Sequence, residues 1–291
     1  MQHPTPIVFL PKGGLGNQLI QCAYLSFLAD QFDDQPEILV SRYFYHHWLN
    51  ITLRWQSRDL CLAALQFLGH PWRQTNIFRL LAYWPRIRLL PDLHDLESGS
   101  ETFLHPPRST ALILFGYCHH PVVFNKSNKF WNNLATSLSL ETNDRHDSVI
   151  ACHFRFGDYL TKRNRAIYAA QSVSEVLQRC LDRYAASYPN TKISVFTDDP
   201  ARFMDTCPYN LLKYVSIQKP RSAFDDFMRL ASHHIIFASN STFSLAAGRV
   251  SSLLFGQPST ILPSAWFVDP IYNASELAKW SRLDYLLDDR P

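Results

Sequence analysis

Apolar residues fall along this chain in two rhythms. Short unbroken runs bounded by Gly, Pro, Asp or Ser read as buried strands, and apolar positions recurring every three to four residues read as helix faces. Residues 7–10 are the first run, and an apolar helix follows over about 19–29. Residues 37–40 and 111–115 are further strands, 60–68 is a helix closed by Gly69, and 130–140 is another helix. The stretches 42–60 and 70–110, rich in His, Tyr, Trp and Pro, show no clear period. Residues 141–147 are polar with no apolar anchor, which sets a domain boundary and predicts domains at 1–145 and 146–291.

The second half is more regular. Strands are expected at 148–155, 193–196, 211–217, 235–238 and 259–262. Ser172-Val173-Ser174-Glu175 has the form of a capping box, and Val173, Val176, Leu177, Cys180, Leu181 and Tyr184 mark one face of the helix behind it. Pro200 suits the first turn of another helix, and more helices are expected over 223–232 and after Ser244. Strands alternating with helices predict the α/β class, with parallel sheets covered on both faces.

Four polar clusters follow strands. They are Gly13-Gly14-Leu15-Gly16-Asn17-Gln18, His153 to Asp158, Thr197-Asp198-Asp199, and Ser239 to Ser244. In open α/β sheets ligands bind beyond the carboxyl ends of strands, so the clusters predict a cleft. Strand alternation puts Val149, Ala151, His153 and Arg155 on one face and Ile150, Cys152 and Phe154 on the other. An imidazole and a guanidinium thus emerge together, and Arg is well shaped to hold a phosphate or carboxylate. A solvated Arg at a strand end is the plainer reading of the same residue. The glycine-rich turn is neither a P-loop, since no Gly-Lys-Ser/Thr follows, nor a full dinucleotide fingerprint.

Composition narrows the classes. With 291 residues and 46% hydrophobic content the chain can bury substantial cores in one large or two medium domains. A net charge of +3 is too mild to imply nucleic acid. No signal-peptide pattern and no run of about 18 apolar residues is present, so a cytoplasmic protein without a transmembrane segment is expected. Six cysteines without C-x-x-C spacing are expected to be reduced thiols.

Taken together, the motifs resemble those of α-1,2-fucosyltransferases and, more distantly, α-1,6- and protein O-fucosyltransferases. Gly13 to Gln18 is similar to the family's G-G-L-G-N-Q, and His153-Phe-Arg-Phe-Gly-Asp-Tyr159 to H-x-R-R-G-D-Y. Phe196-Thr-Asp-Asp199 resembles F-[ST]-D-D, and Ser239-Asn-Ser-Thr-Phe-Ser244 resembles S-N-S-[ST]-F-S. The resemblance implies a GT-B-type fold of two Rossmann-like domains, the first binding the acceptor and the second GDP-β-L-fucose. It implies inverting transfer to O2 of a terminal β-galactose, with no metal and no further cofactor. By family role Arg155 would hold the β-phosphate, Ser241 and Thr242 would lie at the pyrophosphate, and Phe243 would be among the GDP-fucose-binding residues. His153 and Asp199 would join the donor site, Asp226 would read guanine, and Gly14, Gly16, Asn17 and Gln18 would line the cleft. One departure stands out: the family's second Arg is Phe156 here.

The acceptor hydroxyl must lose a proton, and Asp158 and His153 are both candidates for the base. Asp198 and Asp199 are adjacent carboxylates that fit either a metal or a helix cap. Two other functions stay open: transfer of another linkage or to a protein acceptor, and a carbohydrate-binding homologue without turnover.

Overall fold

The structure is a computed structural model. It describes residues 6–11, 13–32, 36–41, 64–75, 87–90, 111–114, 117–141, 149–157, 159, 161–189 and 192–287. The chain divides into two compact units, Met1–Leu134 and Ala135–Pro291. The polar connector read as the boundary lies mostly outside the described residues.

The first unit holds a parallel sheet of β1 (Pro6–Phe9), β2 (Glu37–Ser41), β3 (Trp72–Thr75), β4 (Ile87–Leu90) and β5 (Ala111–Leu114), in the order β3-β2-β1-β5-β4. Ile7, Val8 and Phe9 of the central β1 are fully buried, as an unbroken apolar run predicts for a strand covered on both faces. Helix α1 (Leu15–Ala29) starts four residues earlier than its apolar pattern suggested, because Gly14 is its extended N-cap and the rest of the glycine-rich stretch is already helical. It is buried nearly all round, including the polar Gln21 and Ser26, and Ser26 Oγ donates to the Leu68 carbonyl at 3.0 Å. Helices α2 (Pro121–Lys126) and α3 (Asn128–Glu141) follow, with Phe124 stacked on Trp131.

The second unit holds β6 (Ile150–Phe154), β7 (Ile193–Thr197), β8 (Val215–Ile217), β9 (Ile235–Phe237) and β10 (Thr260–Ile261), parallel and in the order β10-β9-β6-β7-β8. Its helices are α4 (Lys162–Arg165), α5 (Val173–Tyr184), α6 (Pro200–Thr206), α7 (Tyr209–Leu212), α8 (Ala223–Ala231), α9 (Thr242–Phe255) and α10 (Pro270–Trp280). The alternation along β6 is as expected: Ile150, Cys152 and Phe154 enter a core with Val176, Leu177 and Cys180 of α5. Ser172 caps α5 by accepting from the Glu175 amide at 3.2 Å.

Residues 211–217 are not one strand. Leu211 lies inside α7, which follows its N-cap Pro208, and only Val215–Ile217 joins the sheet. A short apolar run suits either state, and Leu211 is buried in both. Helix α10 has a start signal that the apolar pattern does not show: Asp269 accepts from the amides of Ile271 and Tyr272, with Pro270 at the first helical position. Cys22, Cys118, Cys152, Cys180 and Cys207 are buried free thiols, and Cys61 lies outside the described residues.

Candidate active site

In the second unit the strand order reverses at β6, with β7 and β8 on one side and β9 and β10 on the other. The crevice between the carboxyl ends of β6 and β9 is where an open α/β sheet binds its ligand. Here the sequence predicts two of its clusters, and the structure joins them. His153 Nδ1 lies 2.7 Å from Ser239 Oγ. The Arg155 Nη1 group donates to Ser241 Oγ at 3.4 Å. Ser241 in turn caps α9 by accepting from the Phe243 amide at 3.3 Å.

That arrangement collects positive potential at one place. Ser241 and Thr242 open a helix of 14 residues, whose first amides have no partner within the helix. The Arg155 guanidinium sits beside them and also stacks over the Tyr159 ring, 5.0 Å from its centre. A phosphate oxygen placed there meets a fixed cation and a helix start together.

The turn is held from several sides. Tyr159 Oη donates to the Asn240 carbonyl at 2.7 Å, and Gln171 Nε2 donates to the Ala238 carbonyl at 3.0 Å. Asn240 Nδ2 donates to the carbonyls of Ala169 and Trp266 at 3.0 and 3.1 Å. Tyr159 and Asn240 stand inside the recognised motifs and Gln171 does not; their positioning role had no signal in hydropathy, because each acts through hydrogen bonds to distant backbone carbonyls.

His153 is buried, and its ring lies 5.1 Å from that of Phe243. Burial, with the Arg155 charge as a smaller cause, pushes its pKa down to about 3. The imidazole is therefore neutral at physiological pH.

The third cluster joins the same loop. Asp198 accepts from the Phe156 amide at 2.8 Å, and a Cβ on Gly157 would stand 2.6 Å from Asp198 Oδ2. Asp199 caps α6 by accepting from the Arg202 amide at 3.0 Å. Both carboxylates thus have structural work, which is the plainer of the two readings of that pair. Phe156 is buried in the core with its ring parallel to Phe154, so the position of the family's second Arg is a packing position in this chain. Asp158 lies outside the described residues.

Asp226 stands in the first turn of α8, half-buried. Its Oδ2 accepts from the Arg221 amide at 3.1 Å and its Oδ1 from Arg229 Nη1 at 3.4 Å. The helix approaches the site through its neighbour Phe227, whose ring meets that of Phe243 edge-on at 5.7 Å.

The glycine-rich cluster belongs to the first unit, at the reversal between β1 and β5. Gln18 is buried and its Nε2 donates to the Gly13 carbonyl at 2.8 Å. Asn17 Oδ1 lies 2.8 Å from His119 Nε2, which ties the first turn of α1 to the loop after β5. His119 had no signal in the sequence pattern. Gly14 is exposed, and Gly16 is buried in the first turn of α1.

Two Rossmann-like parallel-sheet units, one presenting an arginine and a helix start at its switch point, have the α/β architecture of the GT-B fold. The sequence model of glycosyl transferase family 11 matches residues 99–281, and the chain belongs to that family, the α-1,2-fucosyltransferase family its motifs resemble. It is thus a glycosyltransferase by family. The match takes in three of the four motif clusters, and the glycine-rich loop stands before it.

No curated protein is a significant match in sequence. Among solved structures, POFUT1 in complex with GDP is similar over 91% of this chain and 100% of its own, at a TM-score of 0.48 and 10% identity. A variant of Arabidopsis thaliana FUT1 in complex with GDP is similar over 87% of this chain and 69% of its own, with a TM-score of 0.47 and 12% identity. For E. coli heptosyltransferase WaaC with ADP the coverages are 89% and 93%, the TM-score 0.44 and the identity 10%.

Proposed function

We propose that this chain is a cytoplasmic galactoside α-1,2-fucosyltransferase that moves fucose from GDP-β-L-fucose to O2 of a terminal β-galactose, with inversion and without a required metal or other cofactor. The observation that carries this reading is the bond between Arg155 at the end of β6 and Ser241 at the start of α9, within the matched family segment. As the bond from the fucose anomeric carbon to the β-phosphate oxygen breaks, negative charge gathers on the phosphate. A fixed guanidinium and the positive end of the α9 dipole meet that charge without reorganising. Tyr159, by stacking on Arg155, restricts the guanidinium before the donor arrives.

The acceptor O2–H proton goes to a base on the face opposite the leaving GDP. His153 is buried with its Nδ1 held against Ser239 Oγ, so it serves in positioning, and Asp158, the other candidate, is the base. Asp226 reads guanine N1–H and N2–H. Its two present bonds leave lone pairs on both oxygens, since a carboxylate accepts about four hydrogen bonds. Asp199 supports the site through the loop it caps, and the first domain, with Gly14, Gly16, Asn17 and Gln18, binds the acceptor.

Incubation with GDP-fucose and lactose, followed by NMR of the product, tests the reading. Fucose α-linked to galactose O2 is the expected product. Another linkage, or a protein as the only acceptor, replaces the acceptor assignment while leaving the donor site intact.

A further inference from the structure

The second unit carries an apolar and basic face to which the proposed transfer assigns no role. Ile167, Val268, Ile271 and Tyr272 are 42%, 55%, 79% and 69% exposed. They are neighbours in space. Tyr168 and Phe267 form an antiparallel bridge, and the Val268 amide donates to the Ile167 carbonyl at 3.0 Å. Residues facing each other across such a pair project to one side, so Ile167 and Val268 share the face opposite that of Tyr168 and Phe267. Ile271 and Tyr272 follow in the first turn of α10.

The face is rigid. On its inner side Tyr168 stacks on Tyr159 at 4.5 Å with an interplanar angle of 3°, and on Phe267 at 5.6 Å. Single exposed apolar residues are ordinary on a protein surface, but four together on a braced platform are not.

Charge identifies the occupant. Lys162, Arg163 and Arg165 of α4 stand next to the patch in the chain, all exposed, and none is in an ion pair among the described residues. Within residues 161–172 and 264–275 the only acid is Asp269, and its carboxylate accepts from the amides of Ile271 and Tyr272. Exposed apolar side chains and an amphipathic Tyr, with uncompensated cations next to them in the chain, match the boundary of a negatively charged bilayer, where apolar groups enter the acyl edge and cations meet phosphate head groups.

We propose that the face formed by α4, the Tyr168–Phe267 bridge and the start of α10 docks on the surface of an anionic phospholipid bilayer. The proposal does not depend on the identity of donor or acceptor. It makes the protein peripheral: among the described residues no helix is long and apolar enough to cross a membrane.

The test is co-sedimentation of the full chain with vesicles of mixed phosphatidylglycerol and phosphatidylcholine, against vesicles of phosphatidylcholine alone. The wild type should bind the mixed vesicles and be released by salt near 1 M, where charges are screened beyond about 3 Å. Each cation near such a surface contributes roughly a fivefold factor, so the triple variant Lys162→Gln, Arg163→Gln, Arg165→Gln should lower the partition coefficient on the order of 100-fold. The double variant Ile271→Ser, Tyr272→Ser should lower it at least about tenfold at unchanged charge. Equal binding of wild type to both vesicle types overturns the proposal, as does a double variant that binds like wild type, which would leave only diffuse attraction to the cations. Concentration-dependent self-association of the wild type, lost in the double variant and without vesicle binding, assigns the face to a second copy and overturns it as well.

Discussion

Arg155 has no replacement within its own motif, because the next position is a buried phenylalanine. Arg155→Ala should therefore lower kcat by a factor of at least about 100, on the order of 3 kcal/mol of transition-state stabilisation, with folding unchanged because the side chain is half-exposed. Arg155→Lys should recover only part of this, since an ammonium lacks the planar fork and cannot stack on Tyr159 in the same way. Steady-state kinetics with circular dichroism of both variants measures it. Asp226→Asn should raise the KM for GDP-fucose and narrow the preference for GDP over inosine diphosphate as inhibitor, which lacks N2–H; unchanged discrimination would remove the base-reading role. His153 makes a separate, pH-dependent prediction. Its pKa is depressed in the folded chain, so its contribution to stability is full above about 6.5 and is lost as pH falls towards about 3, when the unfolded state takes a proton the native state refuses. The slope is about 1.4 kcal/mol per pH unit. Relative to His153→Asn, the wild type should lose about 2 kcal/mol between pH 6.5 and pH 5 in denaturant unfolding.

The elements were legible where a strand is buried on both faces or a helix has one apolar face. Residues 150–154 and 173–184 could be read directly, since alternation and the Ser172 cap are local properties. β3, with the sequence Trp-Arg-Gln-Thr, could not: it is an edge strand whose described side chains are exposed or half-exposed, so no apolar run marks it. Helix α9 shows how packing, invisible in a propensity, fixes a residue type. A Cβ on Gly248 would stand 1.8 Å from Thr260 Oγ1 on β10. Gly248→Ala gains helix propensity, yet it should destabilise the chain by about 1–3 kcal/mol through the forced separation of helix and strand. Urea unfolding measures the sign; a stabilised variant would mean that Thr260 can turn away.

At the scale of the whole chain, two parallel sheets followed from the strand–helix alternation, whereas the strand orders that create the two switch points did not, because they depend on pairings between distant segments. The site followed the same division. His153, Arg155 and Ser241 were visible as polar residues at strand ends, while the bonds from His153 to Ser239 and from Arg155 to Ser241 each span 86 positions. Gln171, His119 and the bond from the Phe156 amide to Asp198 appeared only once the loops were in place, whereas a helix cap was already one reading of the Asp198–Asp199 pair. Those carboxylates also carry the prediction on metal dependence. Asp198 accepts from the Phe156 amide and Asp199 caps α6, so activity should survive EDTA; loss with EDTA and recovery with Mg²⁺ or Mn²⁺ would make them a metal site instead.

The proposed role of Arg155 and the start of α9 is to hold the leaving diphosphate of a GDP-fucose-dependent transferase. GDP released from GDP-fucose with and without lactose, in the wild type and in Arg155→Ala, measures that role. Rapid release is expected from the wild type only when lactose is present, and a rate at least about 100-fold lower from the variant. Release that is absent in the wild type with every β-galactoside offered, or that proceeds in Arg155→Ala at the wild-type rate, would contradict it.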